Sequence, residues 1–156
     1  MGFVLLLLLA LLVVAVLSGV KKLPAHERGV VYRLGQALPN PVGPGLVLTV
    51  PGIDKLIRVS LAEQKVEIPR ATVTTDAGSS PVDFTIAFRV LDPVRAATEV
   101  HDYREAVASA ARRMIESTKG KDSKDIATFV RSQLEDAARP WGIQIQSLNE
   151  KRFGSR

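Results

Sequence analysis

Val82-Asp83-Phe84-Thr85-Ile86-Ala87-Phe88-Arg89-Val90-Leu91-Asp92-Pro93 is the stretch on which the fold turns. Val82, Phe84, Ile86, Phe88 and Val90 alternate with Asp83, Thr85, Ala87 and Arg89. That period of two over nine residues predicts a strand with one buried face. At Leu91 the alternation stops. Asp92 then offers a carboxylate to the first free amides of a helix, and Pro93 takes the first helical position, where its missing N–H costs nothing. A short helix to about Glu99 should follow. Before this junction the chain reads as strands and after it as helices with a returning strand, so the fold class is α+β.

Toward the N terminus the signals are short strands and turns. Gly29-Val30-Val31-Tyr32-Arg33-Leu34 is rich in β-formers and stops at Gly35. Pro39-Asn40-Pro41-Val42-Gly43-Pro44-Gly45 holds three prolines and two glycines and reads as a loop. Leu46 to Val50 reads as a buried strand ended by Pro51-Gly52. Residues 55–61 and 64–68 read as two further strands, the second closed by Pro69. Toward the C terminus, Asp102-Tyr103-Arg104-Glu105 has the form of a capping box with Asp in the cap position. It opens an Ala-rich helix in which Ala106, Ala110 and Met114 share a face with Tyr103 and Val107. Lys119-Gly120-Lys121 should stop that helix, and Asp122 or Ser123 should cap another carrying Ile126, Phe129, Val130 and Leu134. Arg139-Pro140 ends it, and Trp141-Gly142 leads into a last strand through Ile143 and Ile145.

The first residues are of a different kind. From Phe3 to Val20 only Ser18 and Gly19 are not apolar. At about 1.5 Å per residue such a run reaches about 27 Å, near the roughly 30 Å of a bilayer core, so a single crossing is expected. A cleaved signal peptide is the competing reading, with Val16-Leu17-Ser18 as a poor cleavage site. Against it, Met1-Gly2 supplies no basic n-region. The positive charge lies after the run, at Lys21, Lys22, Arg28 and Arg33, which should hold that end in the cytoplasm. The expected organisation is a transmembrane anchor over 1–21, a body over 22–148, and a short basic tail over 149–156. Within the body, 26–91 is β-rich, 92–139 helical, and 142–148 a returning strand.

Composition excludes several chemistries. The chain has no cysteine, so thiol catalysis, disulfides and Cys-ligated metals are impossible. His26 and His101 belong to no metal-ligand spacing, so no metal or other cofactor is expected. Ser79-Ser80 sits in a Gly/Ser/Pro turn without a nearby general base. Gly43-Pro44-Gly45 is no phosphate loop, because the proline removes an amide donor and no Gly-Lys-Ser/Thr follows. Glu63, Glu67, Asp76 and Asp83 have no spacing that pairs them. The chain is therefore expected not to be an enzyme. A secreted or periplasmic hydrolase with a cleaved signal peptide is the alternative, and it requires a nucleophile–base pair that the sequence does not display. The 21 Lys+Arg exceed the 16 Asp+Glu, giving a net charge of +5. Clusters at Arg112-Arg113, at Lys119, Lys121 and Lys124, and at Lys151-Arg152 lack interleaved aromatics, so no nucleic-acid partner is expected. Beside an anchor, such charges face anionic headgroups or plain solvent.

The order of motifs resembles a known family. Glu27-Arg28-Gly29-Val30-Val31-Tyr32-Arg33-Leu34-Gly35 is followed by Gly43-Pro44-Gly45-Leu46, Pro51-Gly52-Ile53-Asp54 and Arg58-Val59-Ser60-Leu61. Then come Thr74-Thr75-Asp76, Phe88-Arg89-Val90-Leu91-Asp92-Pro93, Tyr103-Arg104-Glu105-Ala106-Val107 and Trp141-Gly142-Ile143. Together these are similar to the stomatin/prohibitin/flotillin (SPFH, or band 7) family, nearest its stomatin-like members, over roughly Lys22 to Ile145. The resemblance implies an SPFH domain behind the anchor and a non-catalytic membrane scaffold that associates laterally and organises membrane microdomains. The partners it implies are the lipid bilayer, further copies or longer family subunits, and a membrane protease of the NfeD type. Only eleven residues follow Ile145, with no heptad run, so the expectation is a short form without the family's C-terminal coiled coil. Ala77-Gly78-Ser79-Ser80-Pro81 replaces the family's alternating strand start. It should delay that strand to near Val82 and leave a more mobile loop before it.

Overall fold

The computed structural model describes residues 2–75, 78–118 and 123–151. The chain is α+β and divides into two compact units, Met1–Leu61 and Ala62–Arg156. Their boundary falls inside the stretch expected to form one β-rich part, because the last two of those strands share a sheet with the C-terminal strand, and that sheet carries the helices.

The first unit opens with helix α1, Gly2–Ser18, whose described side chains lie exposed. It has 17 residues, and among the described residues no helix is long and apolar enough to cross a membrane. It ends before the 1–21 limit expected from composition, because Val20–Leu23 leaves the helix as strand β1 and Lys21 and Lys22 lie within that strand. β1 pairs antiparallel with β4 (Gly45–Leu48), setting Val20 opposite Leu48 and Lys22 opposite Leu46. A second sheet is built from β2 (Glu27–Arg33), β3 (Gln36–Ala37) and β5 (Asp54–Ser60), with β2 in the centre. Leu23, Val30, Val31, Val47 and Val59 are buried.

In the second unit one antiparallel sheet has the order β6 (Gln64–Thr75), β7 (Gly78–Val90), β8 (Ile143–Lys151). The alternating stretch that announced the fold is the core of the central strand, and Phe84, Ile86, Phe88 and Val90 are almost inaccessible. Helices α2 (Pro93–Thr98), α3 (Tyr103–Ser117) and α4 (Ser123–Ala138) follow, with a 3₁₀ turn over Arg139–Trp141. α3 packs on β6, α4 on β8, and the two helices on each other. Asp92 accepts from the Val94 and Arg95 amides, and Asp102 from those of Arg104 and Glu105, as the cap spacing required.

Three expectations need correcting. β7 begins at Gly78, not near Val82: Ser79 and Ser80 pair with Thr74 and Val73, and the Thr74 and Ser79 hydroxyls lie 3.1 Å apart. Pro81 is tolerated there because the described pairing with β8 reaches only Asp83, leaving β7 one neighbour beyond it. Pro69 does not close β6, which passes it through a bulge between Ile68 and Ala71. The buried stripe of α3 is Val107, Ala110, Ala111 and Ile115, so Tyr103, Ala106 and Met114 are half-buried at its flank. Lys119-Gly120-Lys121, Asp122, Asp76 and the tail beyond Lys151 lie outside the described residues.

Candidate functional site

Several of the motif residues tie separate strands and turns of the fold together. In the first unit, Gly29 exchanges two 2.7 Å backbone hydrogen bonds with Val42, bringing the Glu27-Arg28-Gly29 segment against the loop that holds Gly43, Pro44 and Gly45. A Cβ on Gly29 would lie 2.5 Å from Leu56 Cδ1 and 2.9 Å from Val42 Cγ2, so a larger residue would have to displace both side chains. Leu34 and Gly35 form a two-residue hairpin loop between β2 and β3, both at positive φ (52° and 85°), the conformation of a type I′ turn.

Arg33 and Asp54 join the end of β2 to the start of β5. Arg33 Nε and Nη2 donate to the two carboxylate oxygens at 2.8 and 3.0 Å, and the Val50 amide donates to Oδ2 at 3.0 Å across the Pro51-Gly52 turn. These bonds hold the Asp54 carboxyl well below its ordinary 3.8, at about 2. The Arg33 hydrogen bond contributes most and the Val50 amide next. The Arg33 guanidinium is raised in turn by the same partner.

In the second unit, Asp92 and Gly142 form the corresponding joint. The Leu91 and Asp92 amides donate to the Gly142 carbonyl at 2.8 and 3.1 Å. Gly142 takes φ 67° as the C-cap of the 3₁₀ turn that contains Trp141, and a Cβ there would stand 2.6 Å from Asp92 Cβ. Pro93 is buried at the first position of α2. Tyr103 ties α3 to the sheet: its hydroxyl accepts from Gln64 Nε2 at 3.2 Å and its ring meets Phe88 edge-on with centroids 6.3 Å apart. Arg104 is exposed beside it, in a polar cleft of about 390 Å³ with Lys65, Glu67 and Glu105.

The four basic residues expected to flank the membrane divide. Arg33 is committed to Asp54, and Arg28 Nη1 donates to the Ala25 and Glu27 carbonyls at 3.1 and 3.0 Å. Lys21 and Lys22 are exposed on β1, with no ion pair to a described residue. Glu27 pairs with Ser60 across β2 and β5, and its Oε2 is buried with no hydrogen-bond partner among the described residues. Also among the described residues, no group of three or more His, Asp or Glu is placed to hold a metal.

Sequence reasoning missed the surface around Lys21 and Lys22. The helix end is clamped to the residue after β4: the Thr49 amide and hydroxyl both donate to the Gly19 carbonyl, at 2.8 and 2.9 Å. From that clamp outward, Val20, Leu46 and Leu48 stand on one face of the β1–β4 ribbon, all exposed. Val50, Ile53 and Leu34 are exposed as well: the Ile53 amide donates to the Val50 carbonyl, and the Leu34 amide to the Ile53 carbonyl. Leu46-Val47-Leu48 is apolar on both faces, which alone gave no means of telling the covered side from the open one.

A family model described as SPFH domain / Band 7 family matches residues 21–152. An uncharacterized protein of Archaeoglobus fulgidus is 32% identical, covering 92% of this chain and 61% of its own. A stomatin homolog of Pyrococcus horikoshii is 30% identical over 96% of this chain and 59% of its own. Stomatin-like protein 3 of Mus musculus is 29% identical over 94% of this chain and 54% of its own. The chain thus spans less than two thirds of the length of these relatives.

Proposed function

This chain belongs to the SPFH domain / Band 7 family, and from that premise we propose that it is a membrane-anchored, stomatin-like scaffold protein without catalytic activity. One observation carries the reading: a charge-free apolar helix, Gly2–Ser18, is followed at once by exposed Lys21 and Lys22 and by the residues that the family model matches. At 17 residues α1 falls short of the roughly 20 that usually span a bilayer core, so the anchor reading requires the bilayer to thin around it. Under the positive-inside rule, exposed Lys21 and Lys22 favour a body on the cytoplasmic side. Lateral association, with further copies or with longer family subunits, then multiplies one weak anchor per subunit into a stable local concentration, the physical basis of a membrane microdomain. An integral protein such as an NfeD-type protease is the class of partner held there.

Carbonate extraction and vesicle flotation test the anchor. The protein is expected in the membrane pellet, with an intact N terminus before Gly19. Recovery in the soluble fraction without detergent, or a mature chain starting near Gly19, would end the reading. Cross-linking in native membranes, with identification of the captured proteins, tests the partners, and recovery of the chain uncross-linked and alone would remove the scaffold role.

A further inference from the structure

We propose that the cleft between the outer edge of β6 and the start of α3 takes an extended segment of a partner protein. The segment adds to the sheet as a fourth strand and is recognised by a basic and an acidic side chain two residues apart. The cleft lies wholly within the second unit, so the proposal is independent of α1 being an anchor.

The edge comes first. In the order β6-β7-β8, β6 is a terminal strand, and its outer side has no partner strand among the described residues. Lys65, Val66 and Glu67 all line the cleft. Successive side chains of a strand point to opposite faces, so a cleft that touches three in a row runs along the strand's edge, where backbone groups stand open. The other wall is the start of α3, with Arg104, Glu105 and Ala108. Tyr103 holds the helix at this distance through Gln64 and Phe88. Such a cleft offers main-chain hydrogen bonds on one side and side-chain contacts on the other, the two requirements of recognition by strand addition.

The charges name the occupant. Lys65, Glu67, Arg104 and Glu105 are exposed around a cleft of about 390 Å³, yet none forms an ion pair with a described residue. Asp102, by contrast, is spent on the Arg104 and Glu105 amides. Gln64 meets Tyr103 and Val66 pairs with buried Ile86, which marks their face as the one that carries α3. Lys65 and Glu67 therefore share the opposite face, about 7 Å apart along the strand. An antiparallel segment reading base–x–acid sets its base against Glu67 and its acid against Lys65, and turns x toward Val66 and Ala108. Ala108 is small, which leaves room there for an apolar x. Charges of one sign would only guard the edge, whereas opposite signs two residues apart select one pattern. A second copy, paired about Val66, meets the same pattern. It also brings its own α3 into the cleft, so a bare extended segment is the occupant that the space admits.

The probe is a fluorescein-labelled, backbone-cyclised β-hairpin peptide whose open edge reads Thr-Lys-Val-Glu-Thr, titrated against the full chain in detergent and followed by anisotropy. A second hairpin reads Thr-Lys-Val-Lys-Thr, and a third is the first with its edge amides N-methylated. The first should bind saturably, the second roughly five-fold more weakly, and the third not at all. Lys65→Glu should reverse the order of the first two, an exchange that a role confined to the fold does not produce. Lys65 is exposed, so the variant is expected to keep the wild-type circular dichroism spectrum. Absence of saturable binding by the first hairpin overturns the proposal. So does equal binding of the first two by both proteins, or binding of the N-methylated hairpin. The chain has no cysteine, so Val66→Cys reports on the other occupant. A disulfide-linked dimer of that variant, formed in dilute solution, would put a second copy on the edge and overturn the proposal as well.

Discussion

The Asp83 carboxylate accepts a 2.8 Å hydrogen bond from the backbone amide of Arg70, the residue whose φ of 51° lets β6 step past Pro69. Pro69 and Arg70 drop out of the ladder between Ile68↔Phe84 and Ala71↔Val82, and Asp83 sits between those two partners. The side chain thus takes the amide that the bulge removes from the sheet. Asp83→Ala is expected to cost about 0.5–1.5 kcal/mol, the usual net worth of one such bond. Asp83→Asn, which keeps an acceptor oxygen, should cost less. Urea denaturation midpoints of detergent-purified protein check both, and equal losses would show that the acceptor is not what matters.

Gly142→Ala and Gly35→Ala separate two reasons for a glycine. Both residues have positive φ, but an added Cβ at Gly35 meets nothing within 4 Å, whereas at Gly142 it meets Asp92 Cβ at 2.6 Å and the Asp92 carbonyl oxygen at 2.9 Å. Gly35→Ala should therefore cost about 1 kcal/mol, the left-handed penalty alone. Gly142→Ala must also push apart the 3₁₀ turn and the N-cap of α2, and is expected to cost about 2–4 kcal/mol. Thermal unfolding followed by circular dichroism gives the comparison, and similar losses at the two sites would remove the packing argument.

What the sequence made legible was local. The alternation in 82–90, the Asp92-Pro93 and Asp102 caps and the Trp141-Gly142 stop each act within a few residues, and the structure has them. What escaped depends on partners far along the chain. Val20–Leu23 reads as a basic flank, and it is a strand only because Gly45–Leu48 lies beside it. Pro69 reads as a stop, and the strand passes it because Asp83 is there to take the Arg70 amide. The motif residues were recognised by their order, but what a side chain at Gly29 or Gly142 would meet emerges only from the fold, Val42 with Leu56 in one case and Asp92 in the other.

Acid should weaken the Arg33–Asp54 joint in a defined window. The Asp54 carboxyl is held at about 2 in the folded chain against an ordinary 3.8. A folded value below the unfolded one means that the ionised carboxylate contributes stability above the unfolded pKa, and that this contribution is lost as pH falls toward about 2. Wild type should lose stability relative to Asp54→Asn between roughly pH 4 and pH 2, while the difference between them stays flat above about pH 5. Denaturant midpoints of the two proteins across that range provide the check. Parallel curves would mean that Asp54 titrates alike in both states.

Leu34→Asn tests whether the turn leucine costs the fold stability. Asn tolerates the left-handed region that Leu34 now holds at φ 52°, and Asn-Gly is the favoured pair for a two-residue type I′ loop. The substitution removes a side chain that is 81% exposed, so it leaves no cavity behind. In detergent-purified protein the midpoint of thermal unfolding is expected to rise, by about 1 kcal/mol of added stability. A variant that loses stability would show that Leu34 serves the fold itself.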